Sequence, residues 1–572
     1  MAHSPDSFIF KTDRPWPNAR LKVAAIVGHA TSESVRLWLR TGRPGQFSLL
    51  LYQRDKAVAT ASGEADEAAL QAVLGTVPLA LKDAKVRLPG MRREDFAITD
   101  YAADTTIILD LERLKPDTRY GYALYDRDRK RMVLGHNRLR WFRTPLSENE
   151  KRPFQFALFS CHMPYAVSGL FEKRTDVMNL NMWDFLNAAL QRHAQEVDLI
   201  IAGGDQCYSD GVATLDIWQH LNRTMRKEDG RLLPDEGAML SWYRDIYRGY
   251  WGFESLQRVF DSFPTYMIWD DHEIGDGWGS YYFRKKGKPD GLRRLLPDFE
   301  ERGLTYDEGR ELMRRMFRAA RQAYIEYEHS HNPSTAKGDF DYAFRRGGCA
   351  FYVLDGRGQR DVERKSYCIL GQDQFKRFAN WANALTPEET PFLFVVSAVP
   401  VLHARAALVN ADEQWLISHA GLDDDLRDSW EHDLHATERA ALMNVLFAAA
   451  KKGIKVAILS GDVHVSAVFA LRDNDGHCIY QLTSSAITYN VTRLQSWVLR
   501  LGAADHGETE EGYSFERLAL YAESSYAFIS VNPQKGEAWF KLYGEQQLEA
   551  PSGETDTKAV PVSHSLAKIR LF

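Results

Sequence analysis

The sequence predicts an α/β fold in which a layered β-sheet core with helices follows an all-β sandwich. Three observations support this prediction. Residues 21–146 consist of short strands separated by turn signals, which is typical of an antiparallel sandwich. From residue 152 onward, near-continuous apolar strands alternate with helical segments, as in a sheet covered on both faces. Side chains that bind metals stand directly after several of these strands, which indicates a functional edge of the sheet.

The N-terminal region has the pattern of a scaffold. Residues 1–20 are polar and contain two prolines, so we expect an irregular lead-in. In residues 35–40, Val-Arg-Leu-Trp-Leu-Arg, apolar and polar side chains alternate with the two-residue period of a strand. Residues 114–120, Leu-Lys-Pro-Asp-Thr-Arg-Tyr, resemble the corner before a late strand of a fibronectin type III-like module. We therefore expect residues 21–146 to form a fibronectin type III-like sandwich that carries no chemistry.

Residues 152–548 are predicted to form the catalytic domain. Its apolar strands are expected at residues 154–160, 197–202, 264–269, 348–354, 392–397 and 454–460, with a closing hairpin at 526–531 and 537–543. Helical periodicity occurs at residues 177–195 and 306–330, and residues 211–260 are mostly helical and rich in aromatics. Residues 549–572 are expected to be a flexible C-terminal tail.

The composition is globular and excludes several functional classes. Of the 572 residues, 44% are hydrophobic and 26% are charged, which is ample for a core. The net charge is -6 without a long Lys/Arg block, so a nucleic-acid-binding surface is not indicated. There is no apolar run of about 18 residues to span a membrane, and no export signal, so we expect a cytoplasmic protein. Five cysteines suit free thiols in a reducing compartment.

Four predicted strands share one plan, in which a strand ends in Gly, Ser or an aromatic residue and metal-binding side chains follow. They are Phe159-Ser160-Cys161, Gly203-Gly204-Asp205-Gln206-Cys207-Tyr208, Trp269-Asp270-Asp271-His272-Glu273 and Ser460-Gly461-Asp462-Val463-His464. One such motif alone is weak evidence, because an Asp after Gly is commonly a turn residue or a helix cap. The carboxyl ends of strands line the functional crevice of an open α/β sheet, so we expect the four motifs to converge.

The side-chain types indicate which metals would fit. A thiolate and a phenolate beside carboxylate and imidazole suit iron better than magnesium. Carboxylates grouped apart suit a second, harder divalent ion such as calcium, manganese or magnesium. Two ions about 3.5–4 Å apart can clamp a phosphoryl group and lower the pKa of a bound water. The alternatives are that Cys161 is a small buried apolar residue and that Tyr208 packs in the core.

Together the motifs resemble those of the binuclear metallophosphoesterase superfamily, and Gly204-Asp205-x-x-Tyr208 is similar to the motif of purple acid phosphatases. More closely, they resemble the alkaline phosphatase D (PhoD-like) family. In that family Ser-Cys replaces the first Asp-x-His motif, Asp-Asp-His-Glu stands for Gly-Asn-His-Glu, and Gly-Asp-x-His stands for Gly-His-x-His. Residues 353–360 and 370–374 are similar to the family segments Leu-Asp-x-Arg-x-x-Arg and Leu-Gly-x-x-Gln. The resemblance covers roughly residues 21–545 and implies a metallophosphoesterase-type sheet core.

The resemblance also implies residue roles. A first ion, iron-like, would be held by Cys161, Asp205, Tyr208 and His464. Asp205 would bridge to a second ion, such as calcium, held with Asp271 and Asp462. His272 would face the substrate and stabilise transition-state charge or protonate the leaving oxygen. Arg357 or Arg360 would hold phosphate oxygens through a bidentate fork.

Some assignments stay open. Asp276 stands where some family members carry Asn, and either binds the second ion or only contacts solvent. His403 is the nearest candidate for the additional histidine that the superfamily usually supplies, and a structural role is its alternative. Cys207 is expected not to be a ligand, because its side chain should point away from that of Tyr208.

These observations predict a phosphoric mono- or diester hydrolase, that is, a PhoD-like phosphatase or phosphodiesterase. A hydroxide activated by two metal ions would attack the phosphorus of a phosphate ester. One alternative is a non-catalytic adhesion or binding protein built on the β-sandwich, with a degenerate phosphatase core. Another keeps the metals on the same core but makes the protein a nuclease or a phospholipase.

Overall fold

The computed structural model describes residues 16–56, 91–168, 174–211, 216–282, 290–360, 368–403, 427–489, 503–548 and 560–572, together with residues 71 and 74. Most of the predicted lead-in, residues 1–20, therefore lies outside the described residues. The chain has a mixed α/β fold with several sheets. Within the described ranges, no helix is both long enough and apolar enough to cross a membrane.

The N-terminal region contains two antiparallel sheets packed on each other. Their strands are β1 Ala24–Ala30, β2 Val35–Arg40, β3 Gly45–Gln53, β4 Arg92–Ile98, β5 Thr106–Leu111, β6 Arg119–Asp126, β7 Arg131–Leu134 and β8 Arg140–Arg143. One sheet has the order β1-β2-β5, and the other has the order β4-β3-β6-β7 with β8 also paired to β6. Val27 and Leu37 from the first sheet share a buried core with Leu49 and Leu124 from the second. The alternation of apolar residues along these strands produces that inner face.

The other face of β2 attaches this region to the remainder of the chain. Trp38 is fully buried, and its indole nitrogen donates to the carbonyl oxygen of Glu326 at 2.7 Å. Its ring also lies 5.7 Å from the ring of Tyr327, at the end of a long helix. Strand β2 is consequently buried on both faces, which explains its bulky apolar residues.

Residues from Phe154 onward form two larger sheets and two short hairpins. The strands are β9 Phe154–Phe159, β10 Tyr165–Ser168, β11 Arg174–Val177, β12 Val197–Gly203, β13 Arg226–Glu228, β14 Arg231–Leu233, β15 Thr265–Ile268, β16 Tyr342–Arg346, β17 Cys349–Val353, β18 Phe392–Val396, β19 Lys455–Ser460, β20 Ser466–Arg472, β21 Cys478–Thr483, β22 His506–Glu508, β23 Ser514–Tyr521, β24 Ser525–Asn532, β25 Glu537–Leu548 and β26 Val560–Arg570. One sheet has the order β15-β12-β9-β24-β25-β26, and the other has the order β16-β17-β18-β19-β21-β20-β23-β22.

The two large sheets face each other across one core. The ring of Phe156 on β9 lies 5.3 Å from that of Phe351 on β17 and 5.1 Å from that of Phe394 on β18. Strands β9, β12 and β15 are parallel to one another, as are β17, β18, β19 and β21. Parallel strands buried on both faces need continuous apolar runs, and this is the pattern from which the sequence predicted them.

Helices cover the outer faces of these sheets. They are α1 Asn181–Arg192, α2 Ile217–Thr224, α3 Glu236–Tyr250, α4 Glu254–Phe260, α5 Gly291–Leu295, α6 Tyr306–Tyr327, α7 Gln372–Asn383 and α8 Ala436–Lys451. Helix α6 begins with a capping box between Thr305 and Glu308. It packs on α3 through a stacked pair, Tyr247 and Tyr327, whose ring centroids are 4.7 Å apart. The aromatic residues of 211–260 thus contribute to helix packing.

The prediction that residues 549–572 form a flexible tail is wrong for residues 560–572. Strand β26 pairs antiparallel with β25 along its length and forms the edge of the six-stranded sheet. After it, Leu571 is buried and the ring of Phe572 lies 4.9 Å from that of Tyr480. The unpaired backbone groups and apolar face of β25 provide a partner that the local sequence does not reveal. Residues 549–559 lie outside the described residues.

Candidate metal centre

The four sequence motifs meet where the two large sheets approach each other. Strands β9, β12 and β15 end at Phe159, Gly203 and Ile268, on the same edge of their sheet. Strand β19 ends at Ser460 in the other sheet. A Cβ atom on Gly461 would lie 2.3 Å from Ser160 Oγ, so only glycine permits this close approach.

The residues after these strand ends adopt a backbone conformation that non-glycine residues rarely take. The φ angles are +57° at Cys161, +58° at Asp205, +63° at Asp462 and +53° at His464. Each such residue costs on the order of 1–3 kcal/mol and persists only where its surroundings fix it, commonly at functional sites. Such residues follow β9, β12 and β19, whereas residues 269–273 after β15 have no positive φ.

The donor atoms predicted for the first ion lie close together. Cys161 Sγ is 3.3 Å from Asp205 Oδ2, and the Tyr208 hydroxyl is 3.2 Å from the same oxygen. The Tyr208 hydroxyl also lies 3.0 Å from His464 Nε2. Donor atoms of Cys161, Asp205 and His464 are all within 4.8 Å of one another. The structure therefore brings together all four residues that the sequence predicted for this position.

Four carboxylates form a second, overlapping group. Oxygens of Asp205, Asp270, Asp271 and Asp462 lie within 4.8 Å of one another. Asp205 Oδ1, Asp270 Oδ2 and Asp271 Oδ1 are buried and accept no hydrogen bond among the described residues, although Asp271 Oδ1 lies 3.4 Å from Arg357 Nη2. Buried polar atoms are normally paired, because desolvation without a partner is costly.

The negative charge of this group is only partly balanced, because Arg357 is the one cation that pairs with Asp270 and Asp271 among the described residues. Burial raises the pKa of the Asp205 carboxyl well above its ordinary value, and Asp270 and Asp271 raise it further although His272 acts in the opposite direction. Burial and the neighbouring aspartates also raise the pKa of Asp462. Burial raises the pKa of the Cys161 thiol and of the Tyr208 phenol. A donor set of this kind, with buried carboxylate oxygens that accept no hydrogen bond, fits a cation.

His272 forms a pair with an aspartate that the sequence motifs did not include. His272 Nδ1 lies 2.7 Å from Asp210 Oδ1, and the His272 ring lies 4.1 Å from that of Tyr208. Burial lowers the pKa of His272, but the carboxylates of Asp210, Asp271 and Asp205 outweigh burial and raise it well above its ordinary value. The available signal was the position of Asp210 two residues after Tyr208, yet nothing local indicated that it would reach His272.

The predicted phosphate-binding arginines lie within a buried ion-pair network. Arg357 donates to Asp270 Oδ1, and it forms a two-pronged pair with Asp428 at 2.7 and 2.5 Å. Arg360 also donates to Asp428, but its Nη2 is buried without a partner in the described part of the chain. In this arrangement Arg357 could hold phosphate only by releasing Asp428. Asp428 is a residue that sequence reasoning missed, 71 positions away from Arg357.

Glu273 organises the turn that carries Asp205. Its fully buried carboxylate accepts backbone N–H groups from Asp205 at 3.2 Å, from Cys207 at 3.3 Å and from Gln206. The same carboxylate accepts the N–H of Asp270 at 2.7 Å. Glu273 thereby connects the second motif to the third.

Three further sequence candidates have different surroundings. His403 is buried beside Glu431, which accepts its backbone N–H, and it belongs to none of the metal-type clusters of the described residues. Cys207 is buried and likewise lies outside those clusters. Asp276 groups with Asp210 and His272, and its backbone N–H donates to Asp210. Asp276 therefore lies beside the site, next to His272 and Asp210.

Comparison with known proteins finds similarity both in sequence and in structure. An uncharacterized protein of Saccharomyces cerevisiae is 23% identical over 330 residues, which are 48% of this chain and 45% of the yeast protein. The chain thus spans less than half the length of that relative. The solved structure of PhoD has a TM-score of 0.57 at 15% identity, with 96% of this chain and 92% of that one covered, and supports the fold. A purple acid phosphatase from yellow lupin (Lupinus luteus) seeds has a TM-score of 0.46 at 11% identity, with 92% and 72% covered.

The family model for PhoD-like phosphatases matches residues 183–499. This range contains the second, third and fourth motifs and the arginine segment, whereas Cys161 lies before it. The match extends over more than half of the chain. The protein therefore belongs to the PhoD-like phosphatase family.

Proposed function

We propose that this protein is a metal-dependent phosphoric ester hydrolase of the mono- or diesterase type. One observation supports the proposal above all others. Four motifs that are distant in sequence converge on a buried cluster in which three carboxylate oxygens accept no hydrogen bond among the described residues. A protein that had lost its activity and kept only a binding role would be expected to have lost some of these donors. The N-terminal sandwich, for which we propose a fibronectin type III-like topology, would act as a scaffold.

The donor set suggests two ion positions. Cys161, Asp205, Tyr208 and His464 would hold the first ion, for which we propose Fe(3+). Asp205, Asp271 and Asp462 would hold the second, for which we propose Ca(2+), or else Mn(2+) or Mg(2+). When bound, the two ions would supply positive charge to the phosphoryl oxygens and a water of lowered pKa.

His272 is proposed as the proton donor to the leaving oxygen. Asp210 holds Nδ1, so Nε2 is the nitrogen left for the substrate. Burial lowers the pKa of His272, whereas the carboxylate of Asp210, which lies 2.7 Å from Nδ1, raises it and would favour a protonated imidazole. The His272 side chain is 17% exposed, which gives it access to the opening of the site. A protonated group at this position can donate to an alkoxide as it departs.

Of the two arginines, Arg360 is better suited to hold a phosphate oxygen. Its Nη2 has no partner among the residues described, whereas Arg357 has carboxylate or carbonyl partners on all three nitrogens. We propose that Arg357 orients Asp270 and balances its charge beside the carboxylate cluster. A phosphate contact by Arg357 would then require Asp428 to move away.

The function is tested by replacing the proposed bridging ligand. Asp205→Asn removes one negative charge at nearly constant volume, and Asp198→Asn is a matched control, since Asp198 is also mostly buried but pairs with Arg152 at 2.6 Å. Turnover of an aryl phosphomonoester and of an aryl phosphodiester should fall at least about a hundredfold in Asp205→Asn, because even outer-shell changes cost about 10–100-fold. Undiminished turnover in Asp205→Asn would refute the proposal.

The metal identities need a separate measurement. Metal analysis by mass spectrometry should find iron together with a second metal in the purified protein. If Tyr208 binds ferric iron as tyrosinate, the protein should absorb in the visible range and Tyr208→Phe should remove that band. An active, colourless, iron-free protein would exclude iron but leave the hydrolase proposal standing. Assays of the same protein with DNA and with a phospholipid as substrates test the nuclease and phospholipase alternatives. The predicted cytoplasmic location stays a prediction.

A further inference from the structure

A fifth strand end, which none of the sequence motifs includes, reaches the metal centre. Residues 484–489 directly follow β21, which pairs parallel with β19. The backbone N–H of Ile487 donates to the Ser160 carbonyl at 2.9 Å. Thr488 Oγ1 lies 2.9 Å from His162 Nδ1. Residues 484–489 therefore run beside the first motif and are held to it by both backbone and side-chain contacts.

The last residue of this segment, Tyr489, packs on one of the proposed ligands. Its ring centroid is 3.5 Å from that of His464, and the two rings are inclined by only 16°. On its edge, the same imidazole meets the Tyr208 hydroxyl at 3.0 Å from Nε2. The His464 ring is consequently fixed from its face by Tyr489 and from its edge by Tyr208.

A second residue of the segment, Ser485, contacts two proposed ligands at once. Its hydroxyl oxygen accepts the backbone N–H of His464 at 3.0 Å and lies 3.1 Å from Cys161 Sγ. Cys161 and His464 both have left-handed backbone conformations, with φ of +57° and +53°. Such conformations persist only where the surrounding contacts hold them in place. Ser485 makes one such contact to Cys161 and one to His464.

We propose that Ser485 and Tyr489 are positioning residues of the metal centre, with Ser485 orienting Cys161 and Tyr489 orienting the imidazole of His464. This inference rests on the proposed function, because it takes Cys161 and His464 to be ligands. Neither Ser485 nor Tyr489 needs to contact an ion or a substrate for this role. Removing partners that orient metal ligands typically weakens metal affinity about 10–100-fold.

The experiment measures metal affinity without turnover. The full-length chain, freed of metal, is titrated with Co(2+), and the thiolate-to-cobalt absorption reports binding at Cys161. Tyr489→Leu should weaken Co(2+) affinity about 10–100-fold, whereas Tyr489→Phe, which keeps the ring, should stay within about threefold of the wild type. Tyr513→Leu is the matched control, because Tyr513 stacks on Phe447 at 4.3 Å and 7° outside the metal centre. It should leave the affinity unchanged.

Ser485→Ala provides a second, milder change that removes only a hydroxyl. We expect it to shift the thiolate-to-cobalt band and to weaken affinity, because the Cys161 sulfur loses its nearest hydroxyl partner from the 484–489 segment. Circular dichroism and the melting temperature of each metal-free variant show whether it has folded. If Tyr489→Leu does not fold, the Co(2+) affinity and the band position of Ser485→Ala test whether residues 484–489 orient the ligands.

The outcomes separate this inference from the proposed function. Wild-type affinity in Tyr489→Leu would overturn the role of Tyr489, and an unchanged band together with unchanged affinity in Ser485→Ala would overturn that of Ser485. Asp205→Asn serves as the reference. If it binds Co(2+) as tightly as the wild type, the metal centre itself is wrong. If Asp205→Asn loses Co(2+) while Tyr489→Leu and Ser485→Ala retain it, only the positioning inference fails.

Discussion

At the scale of single residues, the role of His272 can be tested through the leaving group. His272→Asn removes the proposed proton donor but keeps a polar side chain. A loss of about 10²–10⁴-fold in kcat is expected for an alkyl phosphate, whose leaving alkoxide needs a proton. The loss should be much smaller for a nitrophenyl phosphate, because nitrophenolate departs without one. Steady-state kinetics on both esters measures the difference.

Asp210→Asn is the companion to this experiment, since Asp210 contacts His272 and not the expected position of the substrate. It should reduce turnover of the alkyl ester in the same direction as His272→Asn. Equal losses on both esters in His272→Asn would contradict proton donation and leave only a contribution to charge stabilisation.

A different residue, His403, provides a test based on pH. Burial, and then the nearby Arg517, lower the pKa of His403 to about 4. The unfolded chain takes up a proton at this histidine near pH 6.5. The neutral, buried His403 therefore contributes stability that is complete above pH 6.5 and is lost as the pH falls toward 4.

Replacing His403 with Asn removes this pH dependence. Between pH 7 and pH 5 the wild type should lose about 2 kcal/mol of unfolding free energy that His403→Asn does not lose. The destabilisation caused by the substitution should therefore be about 2 kcal/mol smaller at pH 5 than at pH 7. Denaturant unfolding of both proteins, with a chelator present, measures the difference. His506→Asn is the control, because that side chain is 82% exposed. An effect of His403→Asn that does not vary with pH, or a loss of metal binding, would contradict the structural role of His403.

At the scale of secondary structure, the sequence predicted the strands that carry the motifs because their signals are local. A buried parallel strand such as β12 is a continuous apolar run, and the polar residues after it are adjacent in the chain. The pairing of Asp210 with His272 joins positions 62 apart, and the contact of Ser485 with Cys161 joins positions 324 apart. Such contacts depend on how the two sheets pack, for which neither segment contains a local signal.

Strand β26 is a second case in which local sequence does not reveal the partner of a segment. Residues 549–559 contain Pro, Gly, Ser and Glu, and their composition predicted flexibility for everything after them. The alternation of residues 560–570 is a strand signal, but an edge strand gains its stability from its partner. Here the partner is β25, whose Phe540 and Leu542 face the core.

Deleting residues 560–572 tests the importance of this edge. The deletion removes Leu571 from a buried position and Phe572 from a partly buried one, and it exposes the backbone N–H and C=O groups of β25. The free energy of unfolding should fall by at least about 3 kcal/mol, since burying one such side chain contributes about 1.5–3 kcal/mol. The open edge should also promote association, which light scattering would detect. Ser565→Ala, at an exposed position of the same strand, should change neither property. Wild-type stability in the deletion variant would contradict the importance assigned to β26.

At the scale of the whole molecule, the proposed metal centre joins the two large sheets. Cys161, Asp205 and Asp271 follow strands of the six-stranded sheet, whereas Asp462 and His464 follow β19 of the eight-stranded sheet. The sheets also meet through the apolar core around Phe156. At the centre itself, however, buried carboxylates face one another, and their repulsion opposes the packing of the sheets until a cation offsets it.

Metal removal should therefore lower the stability of the whole chain. A ligand that binds only the folded state adds about 2.7 kcal/mol at a concentration one hundred times its Kd. Treatment with a chelator should lower the melting temperature in calorimetry, and adding back the metals found in the purified protein should restore it. Asp271→Asn, in one sheet, and Asp462→Asn, in the other, should each abolish most of this increase, while Asp198→Asn should retain it. If adding metal does not change the melting temperature of the wild type, these strand ends do not share a cation. The same conclusion holds if metal still raises the melting temperature of both Asp271→Asn and Asp462→Asn.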